Sequence, residues 1–368
     1  MQVPGYPNYL EAWWKSYAQG IFGGVDLRER EAQIRARVQR LTDLFTLERN
    51  GIAPAEYDDP ELIAAYGIFY FPEMFVRAQF PLIELLQRGW MPRASASILD
   101  LGSGTGAAGI SAALVLQSIV KRIDVTAMDR SASALEISRL IAQHCGPFLP
   151  ELRWKTERHD ITDLAGVSDG FRDLIILSFS LNEPARHMDF RSVADYVAGL
   201  TNRLTDNGLL LLIEPALKET SERLERIRDA IVGMKDCYVW APCLHQAACP
   251  LLATSKFWCH EVRPWNAPES LRLLNRHLHR TESVLKFSFL ALGRRPPGAN
   301  ITDSFRLLSP WIKTKGKWIA SGCASNGRRY EYQILKRTLS KKEIAKRIKE
   351  SERGDIIMPD QKVRRLES

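Results

Sequence analysis

An apolar run that ends directly in closely spaced glycines constrains this chain more than any other stretch. Ile98-Leu99-Asp100-Leu101 is followed by Gly102-Ser103-Gly104-Thr105-Gly106, and a helix-forming segment opens at Ala107. Glycine has no Cβ, so the backbone can turn through conformations closed to other residues and bring its N–H groups close to a ligand. A strand that meets such a turn and then a helix is the opening unit of an α/β sheet, whose ligands sit beyond the carboxyl ends of the strands. Further apolar runs at 123 to 128, 174 to 179 and 209 to 214 alternate with helical patterns at 107 to 119 and 132 to 144. The alternation predicts a Rossmann-like parallel sheet covered by helices on both faces.

Around this middle portion, residues 95–295, the pattern changes twice. Residues 1–94 read as helical. Asp26 can cap a helix carrying Ile34, Val38, Leu41 and Phe45 on one stripe, and a second helix is expected from Glu73 to Gln87, with Phe75, Phe80, Ile83 and Leu86 inward and Gly89 just beyond its end. Between 237 and 268 the periodicity fails and Cys, Pro, His and Trp accumulate, which predicts an irregular insertion. Val284 to Leu292 resumes as a strand. Residues 296–368 read as a small basic β-rich unit, with a hairpin over Gly316 to Leu335 turning at Asn326-Gly327 and a basic helix over Ser340 to Arg353.

Composition narrows the function. The chain has 368 residues, 45% of them hydrophobic, enough for one large core and a smaller one. No run is long enough to cross a bilayer, so no membrane partner is expected. The first seventeen residues hold a single basic residue, Lys15, which fits a bacterial cytosol better than a mitochondrial leader. Six cysteines in such a chain suit metal binding or chemistry better than a disulfide framework. From Lys286 to Ser368 there are 20 Lys and Arg against 8 Asp and Glu, leaving 31 against 35 in the rest. A positive field concentrated in one quarter of the chain attracts polyanions, and nucleic acid is the leading partner class. Phe305, Trp311, Trp318, Tyr330 and Tyr332 interleave with those charges and could stack on bases.

The glycine loop also satisfies a dinucleotide fingerprint, Gly102-x-Gly104-x-x-Ala107, with Asp129 at a compatible distance to accept from ribose hydroxyls. Three features favour S-adenosylmethionine: Asp100 ahead of the glycines, the third glycine at Gly106, and His159-Asp160-Ile161, where an acid could meet the adenine amino group. The segment resembles the first motif of class I methyltransferases. Over about 98 to 293 that resemblance implies a seven-stranded sheet ending in an antiparallel hairpin, with Asp100, Gly102, Ser103, Gly104, Gly106, Asp129, Asp160, Ile161 and Ser178 at the cofactor. Methyl transfer from a sulfonium is a direct displacement in which the protein mainly positions the acceptor. Ser178-Phe179-Ser180-Leu181-Asn182-Glu183-Pro184 lacks the Asn/Asp-Pro-Pro-aromatic pattern of base amino-group methyltransferases, and Asn182 and Glu183 are the catalytic candidates.

Cys243, Cys249 and Cys259 are separated by five and nine intervening residues, with proline after the second, and Cys323 lies far downstream. Thiolates in an irregular segment, one followed by proline, suit a four-cysteine iron–sulfur cluster. Zinc is the competitor, with His245 or His260 completing a mixed site, although zinc ligands are usually paired at shorter gaps. Cys145 and Cys237 fall outside the pattern.

Taken together, the loop Leu99 to Gly106, Ala241-Pro242-Cys243, Cys249-Pro250-Leu251, Trp258-Cys259-His260, Ser309-Pro310-Trp311-x-Lys313-x-Lys315-Gly316, Cys323 and Arg353-Gly354-Asp355 resemble the ribosomal-small-subunit-associated methyltransferase-like family of bacteria and mitochondria. The resemblance implies a [4Fe-4S] cluster on Cys243, Cys249, Cys259 and Cys323, S-adenosylmethionine in the loop, and small-subunit ribosomal RNA as partner; the free chain is expected to be a monomer. It leaves two functions open, rRNA methylation and non-catalytic iron–sulfur-dependent ribosome assembly. A nicotinamide oxidoreductase fits the C-terminal charge poorly.

Overall fold

A computed structural model describes residues 3–24, 26–46, 58–163, 167, 170–181, 185, 188–234, 237–252, 257–278, 283–298 and 301–366. Among the described residues three helices come first: α1 (Asn8–Phe22), α2 (Glu31–Thr46) and α3 (Pro60–Gln87). Asp26 accepts from the Arg28 N–H and caps the short 3-10 turn that leads into α2. Ile34, Val38 and Leu41 are buried as expected, whereas Phe45 is exposed. α3 begins at Pro60 rather than Glu73. The Asp59 carboxylate accepts from the N–H groups of Glu61 and Leu62, and Pro60 takes the first position, where no N–H is required. Pro72 and Pro81 lie inside the helix.

The central sheet is built from β1 (Ser95–Leu101), β2 (Arg122–Asp129), β3 (Leu152–Arg158), β4 (Arg172–Ser178), β5 (Leu204–Pro215), β6 (Tyr238–Ala241), β7 (Glu261–Pro264) and β8 (Val284–Gly293). Its order is β3-β2-β1-β4-β5-β8-β6, with β7 also on β8. The first five strands pair parallel, and β8 is antiparallel to β5, β6 and β7. The sheet is therefore mixed, with antiparallel strands at one end as the methyltransferase resemblance implied, but it has eight strands among the described residues rather than seven, because β6 and β7 both pair with β8.

Successive strand residues serve opposite faces. Ile98, Leu174, Ile176, Leu209 and Leu211 join one core with the N-terminal helices, α4 (Ala107–Leu116) and α5 (Ala132–Cys145). Leu99, Leu101, Ile175, Leu177, Leu210 and Leu212 join a second core with α6 (Phe190–Thr201) and α7 (Lys218–Val232). The N-terminal helices thus supply one cover of the sheet. The expected irregular insertion is shorter than 237–268, because Tyr238–Ala241 and Glu261–Pro264 are ladder strands on β8.

A second sheet holds β9 (Phe305–Leu307), β10 (Ile312–Lys313), β11 (Lys317–Ala324), β12 (Arg329–Leu335), β13 (Ile356–Ile357) and β14 (Val363–Arg365), in the order β13-β9-β11-β12-β14 with β10 on β11. β11 and β12 form the expected hairpin, and Gly327 takes the turn at φ 81°. Phe305, Trp311 and Tyr332 are buried in this unit's own core, Phe305 and Tyr332 stacked at 3.5 Å between ring centroids. They are structural rather than open stacking faces, which corrects the sequence expectation; Trp318 and Tyr330 remain partly exposed. Of the basic helix expected over Ser340 to Arg353, only Lys341–Lys349 is helical.

Candidate functional site

The strand order reverses between β1 and β4, so the crevice of this α/β sheet opens between the loops that follow those strands. Gly102, Gly104 and Gly106 all adopt left-handed backbone conformations, at φ 68°, 52° and 87°. The N–H groups of Gly102 and Ser103 donate to Met128 O at 2.8 and 2.9 Å, fastening the loop to β2. A Cβ on Gly102 would stand 2.4 Å from Ser180 Cβ, and one on Gly106 2.9 Å from the Trp154 ring, while at Gly104 nothing lies within 4 Å. The middle of the loop therefore faces open space, and its ends are packed.

Two carboxylates lie beneath the loop. Asp100 Oδ2 accepts from Gly109 N at 2.8 Å, and burial, with Asp129 nearby, pushes its carboxyl up to about 7. Asp129 Oδ2 accepts from Gly104 N and Oδ1 from Ser131 N, at 2.8 and 2.9 Å; burial raises its pKa and these N–H groups oppose the rise. Asp129 thus also holds the loop in shape. Asp160 is exposed, and its Oδ1 accepts from the Thr162 N–H and hydroxyl, which lowers its pKa. Ile161 is buried, with Cδ1 3.3 Å from the position of a Gly102 Cβ. Asp100 Oδ1, Ser103 Oγ, Thr105 Oγ1 and Ser178 Oγ are buried without a protein hydrogen-bond partner. Buried polar atoms are almost always paired, so this concentration at one loop suits a polar ligand.

Several residues at this crevice carried no sequence signal. Phe179 follows β4 at φ 61°, a rare conformation for a bulky side chain, and the Arg77 guanidinium lies 5.3 Å from its ring centroid. Arg77 pairs with Glu73 at 2.7 Å on α3. Tyr66, on the same helix, is within electrostatic reach of Asp100, Asp129, Glu73 and Arg77. Only the lengthening of α3 back to Pro60 brings Tyr66 here. Asn182 and Glu183 lie outside the described residues.

The structure also gathers the four dispersed cysteines. Cys243, Cys249, Cys259 and Cys323 line one cavity of about 40 Å³ together with His245, Glu225 and Arg228. Cys249 N donates to Asp229, and Cys259 N donates to Glu225 at 2.6 Å. Cys323 Sγ is 3.4 Å from His245 Nε2. Burial, then the neighbouring Cys243, pushes the Cys249 thiol up to about 12 and raises Cys259 and Cys323 as well. Burial and Arg228 lower His245 to about 4, leaving it neutral. His260, the other nitrogen candidate, is not among the cavity's lining residues. Among the described residues no group of three or more His, Cys, Asp or Glu side chains is arranged to hold a metal ion. Cys145 and Cys237 are buried in the two cores of the main sheet.

The strand order and glycine loop define a class I methyltransferase fold. The chain belongs to the family described as mitochondrial small ribosomal subunit Rsm22, whose family model matches residues 60–358. No curated protein sequence gave a significant match. Among solved structures, an rRNA methylase from Streptococcus thermophilus is 11% identical, covering 58% of this chain and 94% of its own at a TM-score of 0.32. The plantazolicin methyltransferase BpumL in complex with SAH is 13% identical, covering 73% and 99% at 0.36. A SAM-dependent methyltransferase from Aquifex aeolicus is 16% identical, covering 48% and 88% at 0.31. No described helix is long and apolar enough to cross a membrane.

Proposed function

We propose that this chain is an S-adenosylmethionine-dependent methyltransferase-like protein of the small ribosomal subunit, with ribosomal RNA as the acceptor. The observation that carries the reading is the cluster of unpartnered buried polar atoms on Asp100, Ser103, Thr105 and Ser178 around left-handed glycines at the switch point. Bound there, the cofactor supplies an electrophilic methyl group. Gly104 leaves room for its approach, Asp129 fixes the loop, and Ser178 offers the cofactor a buried hydroxyl. Family membership supplies the ribosomal direction, and the C-terminal charge favours a polyanionic partner. The test is transfer of labelled methyl from S-adenosylmethionine to RNA in small-subunit assembly intermediates, alongside equilibrium binding of the cofactor. Gly102→Ala should abolish both. Cofactor binding without incorporation into any intermediate would overturn the enzymatic reading and leave the assembly factor, which the missing acceptor motif after β4 favours.

We further propose that Cys243, Cys249, Cys259 and Cys323 carry a [4Fe-4S] cluster. Zinc, the alternative, would draw every sulfur to about 2.3 Å from one point. A cluster places each thiolate on a different iron and accepts sulfurs standing further apart around one cavity. Three guanidiniums lie close: Arg228 donates to His245 O, Arg306 to Pro242 O, and Arg353 to Trp258 O and His260 O. Arg228 is paired with Asp229 and Arg306 with Glu84 and Glu261, so it is the Arg353 charge, within electrostatic reach of Cys259, that suits an anionic centre. Anaerobic purification followed by iron, sulfide and zinc analysis should find iron and sulfide in equal amounts; stoichiometric zinc with neither would refute the assignment.

A further inference from the structure

The C-terminal unit contains a cavity of about 530 Å³ that neither the cofactor loop nor the cysteines account for. Its volume falls in the range of small-molecule sites, about 300–1,000 Å³. Trp311, Ile334, Ile357 and Val363 supply apolar walls, and Lys342 and Lys346 stand on the rim. Trp311 is 7% exposed, yet its indole N–H has no acceptor. A buried indole donor normally finds a partner. The nearby charges divide into two kinds. Arg347 is committed to Asp360 and Lys362 to Glu343, each at 2.6 Å, whereas Lys342 and Lys346 are exposed and form no ion pair among the described residues.

We infer that this cavity is a pocket for one unstacked nucleotide of a single-stranded RNA. The base enters between the apolar walls, its carbonyl oxygen accepts from Trp311 Nε1, and the adjoining phosphates meet Lys342 and Lys346. Apolar walls, one buried donor and free cations at the mouth together select a flat heterocycle attached to a polyanion, where a simple basic face would need only the cations. Single-stranded RNA offers such bases because they are not held in a helix. The inference rests on RNA as the partner, but not on methyl transfer or on the metal centre.

The test uses the full chain with a short fluorescein-labelled single-stranded RNA and a duplex of the same length, read by anisotropy across a salt series. Trp311→Phe keeps the ring and removes the N–H. It should weaken single-strand binding by about threefold to tenfold while leaving duplex binding and the salt slope unchanged. Lys342→Ala with Lys346→Ala should reduce the slope of log affinity against log salt by about 1.4, two phosphates' worth for a single strand. Ile357→Trp, which fills the pocket, should remove the preference for single strands and guards against a folding defect in the first variant. S-adenosylmethionine affinity should be unchanged in all three, so a failure of the methyltransferase reading would show separately. Equal binding of single strand and duplex with no effect of Trp311→Phe would reduce the site to a basic face and overturn the inference. Saturation by free mononucleotides as tightly as by the oligomer would overturn it as well.

Discussion

At the scale of single residues, the loop after β1 makes different demands on glycines that look alike in the sequence. Gly104 has a left-handed φ but nothing near its missing Cβ, so Gly104→Ala meets only the backbone penalty of about 1–2 kcal/mol. Gly102 has both the φ and a would-be clash with Ser180 Cβ at 2.4 Å. Gly102→Ala should therefore cost more stability than Gly104→Ala in chemical denaturation and remove cofactor binding. Adding Ser180→Gly should recover part of the loss by removing the opposing carbon. Asp100 gives a prediction with a sign. Its carboxyl stands at about 7 in the fold against roughly 4 in an unfolded chain. Between those values the folded state holds a proton that the unfolded state has released, so this group's contribution is complete below about pH 4 and is lost as pH rises to about 7. Asp100→Asn should flatten that fall when urea unfolding is compared at pH 5 and pH 8, and an unchanged slope would show that Asp100 titrates normally.

At the scale of elements, one buried arginine joins three parts of the chain. Arg306 on β9 pairs with Glu84 of α3 and Glu261 of β7 and donates to Pro242 O and Gly354 O. Arg306→Leu would leave Glu84 with Arg88 at 3.7 Å and Glu261 with Arg263, and would strip the Pro242 and Gly354 carbonyls of their donor, so the loss should fall below the about 3–5 kcal/mol that stranding a buried charge costs. The expected outcome is a C-terminal unit that limited proteolysis separates from a still-folded sheet domain. Gly354 belongs to the same junction: at φ 99° with Glu261 Oε2 1.7 Å from a would-be Cβ, it admits no side chain without moving a buried carboxylate. The sequence made the local features legible and left these long-range ones hidden. The loop at 102–106, the parallel strands and the Asn326-Gly327 hairpin follow from neighbours in the chain, where periodicity and turn chemistry act. Tyr66, Arg77 and Phe179 meet only after folding, and nothing within a few residues of each announces it. The aromatics of the basic unit misled for a related reason: charge alternating with rings reads the same whether the rings face solvent or, as with Phe305 and Tyr332, pack on each other in a small core.

At the scale of the whole molecule, the basic unit meets the sheet domain at two points that lie next to each other. Cys323 on β11 is the register partner of Arg306 on β9. One residue of that pair faces the cavity that the other cysteines share, and the other reaches Glu84 and Glu261. If a cluster occupies the thiols, both fastenings hold the same interface, and losing one should make the other count for less. Cys323→Ser and Arg306→Leu should therefore be non-additive, with a coupling of about 0.5–3 kcal/mol in a double-mutant cycle read by urea unfolding under anaerobic conditions. The sign follows from the geometry: once either fastening is gone the unit is already loosened, so the double variant should lose less than the two single losses combined. Chelation should reproduce the Cys323→Ser effect on RNA affinity in the native chain and add nothing in the variant. Strict additivity, or equal weakening of both by the chelator, would mean that the thiols and the arginine stabilise separate regions and that no centre at the thiols orients the C-terminal unit.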